Sequence, residues 1–257
     1  MGRADDTGKG NGTRAPGQLY GKTEVLSLGR HGRLGLAPEG DYGFAKALVS
    51  VPASLSEIVI AQRAYPVVFA GVEAPIPVIV LGLSEKTGNV FVDSENRWVD
   101  DLYVPAFLRR YPFIAVPKPG GSDLALAADV GSELIVKDGA QPFFENRKPS
   151  AAAKRAFEFC AKLHADFEAA RQFGAALMEA GLLREHSAEV RVGAAGVVQL
   201  TNFKMIDEAK LDALDDEDFL GWRRNGRLPA AYAQLMSLAS WTGLARRAST
   251  AFGEFGE

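Results

Sequence analysis

The chain has 257 residues, 47% of them hydrophobic and 24% charged, which is ordinary for a globular protein with a substantial core. Its formal net charge of -3 provides no general attraction to nucleic acid or anionic lipid, so no nucleic-acid partner is expected. The single cysteine, Cys160, excludes an intramolecular disulfide and any cysteine-rich metal site.

The first twenty residues are rich in glycine and charge and poor in apolar residues. They are therefore predicted to form a disordered tail, 1–20, ahead of one globular domain over 21–257. They contain no apolar core of a signal peptide, and the apolar run 76–83 is too short to span a bilayer. We expect no transmembrane segment and a cytoplasmic location by default, with signal-independent export to the cell surface as the alternative.

The first half of the chain is predicted to form mainly short strands, because brief apolar runs alternate with glycine, proline and other turn residues. The predicted strand regions are 24–36, 48–51, a strand beginning at Val67, 78–81, 90–92, 113–116 and 124–128. The segment 84–89, which contains Thr87-Gly88-Asn89, is expected to turn and to join 78–81 and 90–92 as a hairpin.

Two short helices interrupt these predicted strands. One is expected to begin at a cap on Ser54 or Ser56 and to run to Ala64, with Glu57 in its first turn, where a negative charge suits the helix dipole. The other covers 103–110 and is stopped by Pro112.

The second half of the chain is predicted to be mainly helical. A long helix is expected from a cap at Ser150 to a closing Gly181, and a break near Gly174 is an open alternative. A hairpin over 190–203, turning at 194–196, should follow it.

The remaining predicted helices begin at Asp207, at Asp215 or Asp216, and at Pro229, and the last of them runs to Arg247. Strands come first and helices later, without strict βαβ alternation. The predicted fold class is therefore α+β, with a mostly antiparallel sheet from the N-terminal half packed with helices from the C-terminal half.

No familiar catalytic motif is present in the sequence. Cys160 and His164 lie one helical turn apart, a spacing that suits a nucleophile with its base or half of a metal site. They also lie between Phe157 and Phe167 on the apolar stripe of the long helix, which favours a role in the core. No catalytic residue, metal site or cofactor is predicted.

The segment 98–113, WVDDLYVPAFLRRYPF, carries the most suggestive combination of residues. Aromatic rings alternate there with two consecutive arginines, and such residues dominate binding hot spots. The alternative is a short amphipathic helix whose rings pack on the sheet, while the arginines reach solvent or satisfy a carboxylate. The candidate ligand-binding or partner-binding residues are Trp98, Tyr103, Arg109, Arg110, Tyr111 and Asp129.

The same segment resembles the signature of the SapC family, bacterial proteins named after a component linked to surface-layer systems. The resemblance begins with Glu57 and YPVVF at 65–69, continues through NVFV at 89–92 with Trp98, and is strongest in YVPAFLRRYPF at 103–113. Further matching blocks are 124–129, 138–139, 203–211 and 226–241. Asn96 stands where the family would have a glycine in a turn, and asparagine tolerates a positive φ.

The resemblance implies no particular reaction and supplies no catalytic residues. It does imply an association with surface layers, or with outer-membrane nutrient receptors and halogenase-like proteins. Our preferred hypothesis is a non-enzymatic accessory protein that recognises a peptide, protein or small ligand through 98–113. The alternatives are a structural surface-layer component and an enzyme with dispersed catalytic residues acting on a peptide or sugar.

Overall fold

A computed structural model describes residues 19–38, 41–99, 101–192 and 196–254 of the chain. Most of the predicted tail lies outside these residues. Its last two residues, Leu19 and Tyr20, pack within the protein: Leu19 is buried, and the Tyr20 ring contacts the rings of Phe107 and Tyr111. The packed part of the chain therefore begins no later than Leu19.

The structure confirms the α+β class, with antiparallel strand pairing. The strands are β1 (Thr23–Val25), β2 (Leu34–Leu36), β3 (Ser50–Pro52), β4 (Val67–Ala70), β5 (Ile76–Val80), β6 (Phe113–Pro117), β7 (Leu124–Asp129), β8 (Ile135–Lys137), β9 (Gln141–Pro142), β10 (Phe144–Glu145), β11 (Lys148–Pro149), β12 (Leu183–Arg191) and β13 (Val197–Ile206). The helices are α1 (Leu28–His31), α2 (Ile58–Ala61), α3 (Ala106–Arg109), α4 (Ala151–Glu179), α5 (Glu208–Asp212), α6 (Asp216–Arg224), α7 (Arg227–Ser237) and α8 (Trp241–Glu254).

The largest sheet has five strands in the order β12-β13-β4-β5-β3. Its central strand β4 is an unbroken apolar run, as expected for a strand that is covered on its faces. The Phe69 ring of β4 packs on Phe173 of α4, and the Val67 N–H donates to the hydroxyl of Ser237 in α7. The main core therefore lies between this sheet and the C-terminal helices.

Two smaller sheets have the strand orders β1-β7-β6 and β8-β2-β9, and β10 pairs with β11. A second, smaller core lies at these sheets, with Phe113 and Phe143 in edge-to-face contact and Cys160 of α4 beside them. Helix α4 contributes to both cores, because Phe173 and Leu177 near its C-terminal end belong to the main one.

The long helix α4 begins and ends as predicted. The Ala153 N–H donates to the Ser150 hydroxyl at 3.1 Å, and Gly181 follows the helix with a φ of 65°. The helix continues through Gly174 without a break. An added Cβ at Gly174 would lie 1.8 Å from the carbonyl oxygen of Pro75, so the glycine is needed for the close approach of the chain that enters β5.

The predicted strand at 90–92 is replaced by a turn. The Asn89 carboxamide accepts the Phe91 N–H at 2.9 Å, which bends the chain away from strand geometry. Val90 still donates to the Leu81 carbonyl, and Val92 forms a single bridge with Trp98. The predicted hairpin is thus reduced to isolated hydrogen bonds.

Three predicted helices also differ from the structure, and the one predicted over 103–110 is limited to Ala106–Arg109. The other two differ as follows. The first is limited to Ile58–Ala61, without a side-chain cap from Ser54 or Ser56. The helix predicted from Pro229 to Arg247 is divided into α7 and α8 by a 3₁₀ turn, Leu238–Ser240. The division follows Ser237, whose hydroxyl bonds the Gln234 carbonyl at 2.6 Å and ties the chain to β4.

The hairpin that follows α4 is longer than predicted and consists of β12 and β13. The Val192 N–H donates to the Gly196 carbonyl at its closed end. Positions 194–195 of the predicted turn lie outside the described residues.

Candidate functional site

Trp98 belongs to an aromatic cluster beside the start of the candidate segment. Its indole N–H donates to the Tyr65 hydroxyl at 3.2 Å, and its ring stacks on Phe91 with centroids 6.0 Å apart. Tyr42 packs edge-on against the same indole. The turn before Trp98 contains Asn96 with a φ of 64°, as predicted for this position. Trp98 is therefore half-buried and holds the segment against the core.

The start of α3 is held by the buried carboxylate of Glu57. One oxygen accepts the Ala106 N–H at 2.5 Å, and the other accepts the Ser54 N–H at 3.2 Å. Glu57 is only 3% exposed, and this burial raises the pKa of its carboxyl group. Glu57 thus satisfies a free N–H of α3, a helix with no side-chain cap of its own.

The half-buried Tyr103 and the exposed Arg109 form a pair on this segment. The Arg109 Nη2 donates to the Tyr103 hydroxyl at 2.8 Å, and its Nε donates to the Val104 carbonyl at 3.0 Å. The guanidinium carbon lies 5.0 Å from the centre of the Tyr103 ring and 5.3 Å from that of Phe159 in α4. Burial raises the pKa of Tyr103 to about 12. The guanidinium is therefore held in one orientation at the protein surface.

Arg110, which follows α3 directly, lies among three aromatic rings and contacts a different part of α4 through Phe167. Its guanidinium carbon is 4.4 Å from the centre of the Phe107 ring, 5.3 Å from that of Phe167 and 5.5 Å from that of Tyr20. Its Nε is buried and has no hydrogen-bond partner among the described residues. Part of the hydrogen-bonding capacity of this guanidinium is therefore unused.

Arg110 lines a cavity of about 220 Å³ between α3, α4, the end of β3 and the start of β5. The polar lining residues are Arg110, His164 and Arg171, and the described residues that line it include no acidic side chain. The apolar lining residues are Pro52, Ala53, Ile76, Pro77, Phe107, Phe167 and Ala170. The arrangement can hold an anionic group next to ring faces.

Sequence reasoning missed Arg171 as part of this site and assigned His164 and Phe167 to the core. The three residues occur at intervals of three and four on α4, so they share one face of the helix. That spacing was the signal available in the sequence. The position of α3 against this face was not deducible from it.

Tyr111 and Asp129 lie inside the protein. The Tyr111 hydroxyl donates to Asp129 Oδ2 at 3.1 Å, and the same carboxylate accepts the N–H groups of Gly21 and Lys22, each at 2.9 Å. Asp129 is fully buried at the end of β7. This pair joins the beginning of the packed chain to β7 and does not line the cavity.

Cys160 and His164 are one turn apart on α4, but only His164 lines the cavity. Cys160 is 2% exposed, and burial raises the pKa of its thiol to about 11. A thiol with this pKa is protonated near neutral pH and is a poor nucleophile. Within residues 19–38, 41–99, 101–192 and 196–254, no group of three or more His, Cys, Asp or Glu side chains is placed to hold a metal ion.

The fold and site define an α+β protein whose arginine-bearing helix α3 packs on a long helix beside a small cavity. A profile of the SapC family matches residues 26–244, and the chain therefore belongs to the SapC family. Neither the curated proteins nor the solved structures contain a match to the chain. Every helix in the described part of the chain is too short or too polar to cross a lipid bilayer.

Replacing Glu57 with glutamine is expected to change how stability depends on pH. Because burial raises the pKa of Glu57 above its usual 4.5, the folded state binds its proton more tightly than the unfolded state. The favourable contribution is complete below the unfolded pKa and is lost as the pH rises through the folded pKa. The native protein should therefore lose stability relative to Glu57→Gln as the pH rises above the usual glutamate pKa of 4.5.

Urea unfolding of both proteins across this range measures the effect. Tyr103 and Arg109 also interact with Glu57. Both residues are present in the native protein and in the variant, so the two proteins differ only at position 57. A stability difference that is constant with pH, or that moves in favour of the native protein, would contradict the assignment.

Proposed function

We propose that this SapC-family protein is a non-enzymatic binding protein that recognises its ligand where the segment 98–113 packs on α4. The observation that carries the proposal is the placement of two consecutive arginines against α4: Arg109 ends α3, and Arg110 follows it directly. Arg109 is exposed beside Tyr103 and Phe159, and Arg110 lines the cavity beside Phe167.

The arginines are organised before any ligand arrives, which supports a recognition role. Arg109 is held by two hydrogen bonds and two ring contacts, and Arg110 by ring contacts. Side chains that are already ordered lose less conformational entropy on binding. Arginine and tyrosine side chains in such arrangements contribute disproportionately to binding energy.

The acid and the thiol nearest this surface favour binding over catalysis. Both oxygens of Glu57 accept backbone N–H groups, so the carboxylate is engaged in holding α3. The Cys160 thiol is buried with a raised pKa and belongs to the smaller core. These groups support the positions of the arginines, and the proposal assigns no reaction to them.

The double substitution Arg109→Ala with Arg110→Ala is expected to reduce retention of the native ligand by about tenfold or more, because both guanidinium groups are removed. The measurement is purification from the native cell followed by mass spectrometry of the bound species. The single substitutions Arg109→Ala and Arg110→Ala show whether the ligand depends on the exposed arginine or on the one that lines the cavity.

Arg155→Ala is the matched control, because Arg155 is an exposed arginine on α4 that does not line the cavity. Retention should persist in this control. Equal retention by the double variant, with a native circular dichroism spectrum, would remove the basis of the proposal. Ordered self-assembly of the purified protein, unaffected by the double substitution, would favour the surface-layer alternative instead.

A further inference from the structure

We infer that the cavity beside Arg110 binds a small carboxylate whose apolar body lies against Phe107 and Phe167. The inference rests on the proposed function and specifies the chemical class of ligand for part of the same surface.

The size of the cavity limits the ligand. A volume of about 220 Å³ is below the range of roughly 300–1,000 Å³ that is usual for drug-sized ligands. A folded peptide or a nucleotide is too large to enter. A ligand with a single ring or a short aliphatic body is of suitable size.

The charges at the cavity select an anion. Arg110, His164 and Arg171 line it, without an acidic lining residue among those the structure describes. Arg171 pairs with Glu168 on the outer side of α4, where both side chains are about half exposed. Arg110 carries a buried Nε–H with no partner among the described residues. A bound anion would compensate the positive charge of Arg110 in partly apolar surroundings.

The shape of the charged group favours a carboxylate. The guanidinium of Arg110 lies over the Phe107 ring and near the Phe167 and Tyr20 rings, and it also hydrogen-bonds the Tyr20 hydroxyl. The remaining part of its planar edge is what a ligand can meet. A guanidinium edge matches the two oxygens of a carboxylate. The rest of the lining consists mainly of proline, alanine, isoleucine and phenylalanine side chains, which suit an apolar body better than a hydrated phosphate.

The experiment titrates the full chain with phenylacetate, with its neutral isostere phenylacetamide and with inorganic phosphate, measured by calorimetry. Phenylacetate is expected to bind about tenfold or more tightly than phenylacetamide, and phosphate should bind more weakly than phenylacetate. Arg110→Gln should reduce phenylacetate affinity by about tenfold or more, because it removes the charged guanidinium group that pairs with the carboxylate.

Arg171→Gln is the second variant and is expected to fold, because the Arg171 side chain is 55% exposed. It should weaken phenylacetate binding severalfold, whereas Arg155→Ala should leave it unchanged. Equal binding of the acid and the amide, preferential binding of phosphate, or unchanged affinity in Arg110→Gln would each overturn the inference. Failure of the folded native protein to bind phenylacetate would do so as well.

The phenylacetate titration and the test of native-ligand retention can fail independently of each other. Loss of native-ligand retention in the double arginine variant, without phenylacetate binding to the native protein, refutes only the carboxylate inference. Phenylacetate binding that depends on Arg110, with native-ligand retention unaffected by the double substitution, supports the cavity site and refutes the proposed function.

Discussion

Replacing Gly174 with alanine is expected to lower the free energy of unfolding by about 3 kcal/mol, although alanine is the better helix former. The new Cβ would stand 1.8 Å from the carbonyl oxygen of Pro75 and 3.0 Å from its carbonyl carbon. Both are backbone atoms, so no rotamer change can relieve the overlap. Either α4 or the chain entering β5 must move, and urea unfolding followed by circular dichroism measures the cost.

Gly221→Ala is the matched control, because Gly221 also lies within a helix and its added Cβ would meet no heavy atom within 4 Å beyond its chain neighbours and the backbone of its own helix. This substitution should stabilise the protein by about 0.5–1 kcal/mol, since glycine is the poorer helix former. A Gly174→Ala variant that is as stable as the native protein would contradict the close approach of α4 and Pro75.

The Gly174 substitution should also affect the cavity. Ile76 and Pro77 follow Pro75 directly and line the cavity together with Arg110. A displacement that relieves the overlap at Pro75 therefore moves one cavity wall. Weaker phenylacetate binding by folded Gly174→Ala, with normal binding by Gly221→Ala, is the expected result.

Replacing Asp129 with alanine is expected to cost about 4 kcal/mol of unfolding free energy. The change removes the carboxylate that accepts the Gly21 and Lys22 N–H groups and the Tyr111 hydroxyl in a fully buried position. Buried donors without their acceptor are costly. Thermal or urea unfolding measures the total effect. Hydrogen exchange at Gly21 and Lys22 should show the local release of the chain.

Glu95→Ala is the matched control for the loss of an acidic side chain. Glu95 pairs with Arg97 at 3.0 Å, but both side chains are 68% exposed, so the change should stay within about 0.5 kcal/mol. A loss at Asp129 no larger than at Glu95 would show that the buried carboxylate does not anchor the chain to β7.

Helix caps and turns were predictable because they depend on residues within one turn of each other. Ser150, Asp207 and Asp215 each accept an N–H from the residue three positions later, as their types and positions indicated. Asn96 adopts a positive φ in its turn for an equally local reason.

The predictions that differed from the structure concern residues whose partners are distant in the chain. Glu57 was expected to interact with its own helix, but its carboxylate caps α3 at Ala106, 49 residues later. The helix expected to continue past Ser237 is interrupted where Ser237 bonds β4, 170 residues away. Local propensity carries no information about such contacts.

For the candidate site, composition indicated an aromatic and arginine-rich surface at 98–113, and the chain matches the SapC family over most of its length. The sequence by itself determined the family, the α+β class and most helix caps, because these depend on residue order and local chemistry. Only the tertiary structure separated the exposed Arg109 from Arg110 at the cavity and from the internal Tyr111–Asp129 pair. The reason is physical: burial and charge compensation at each side chain are set by elements such as α4, which are distant in sequence and meet only on folding.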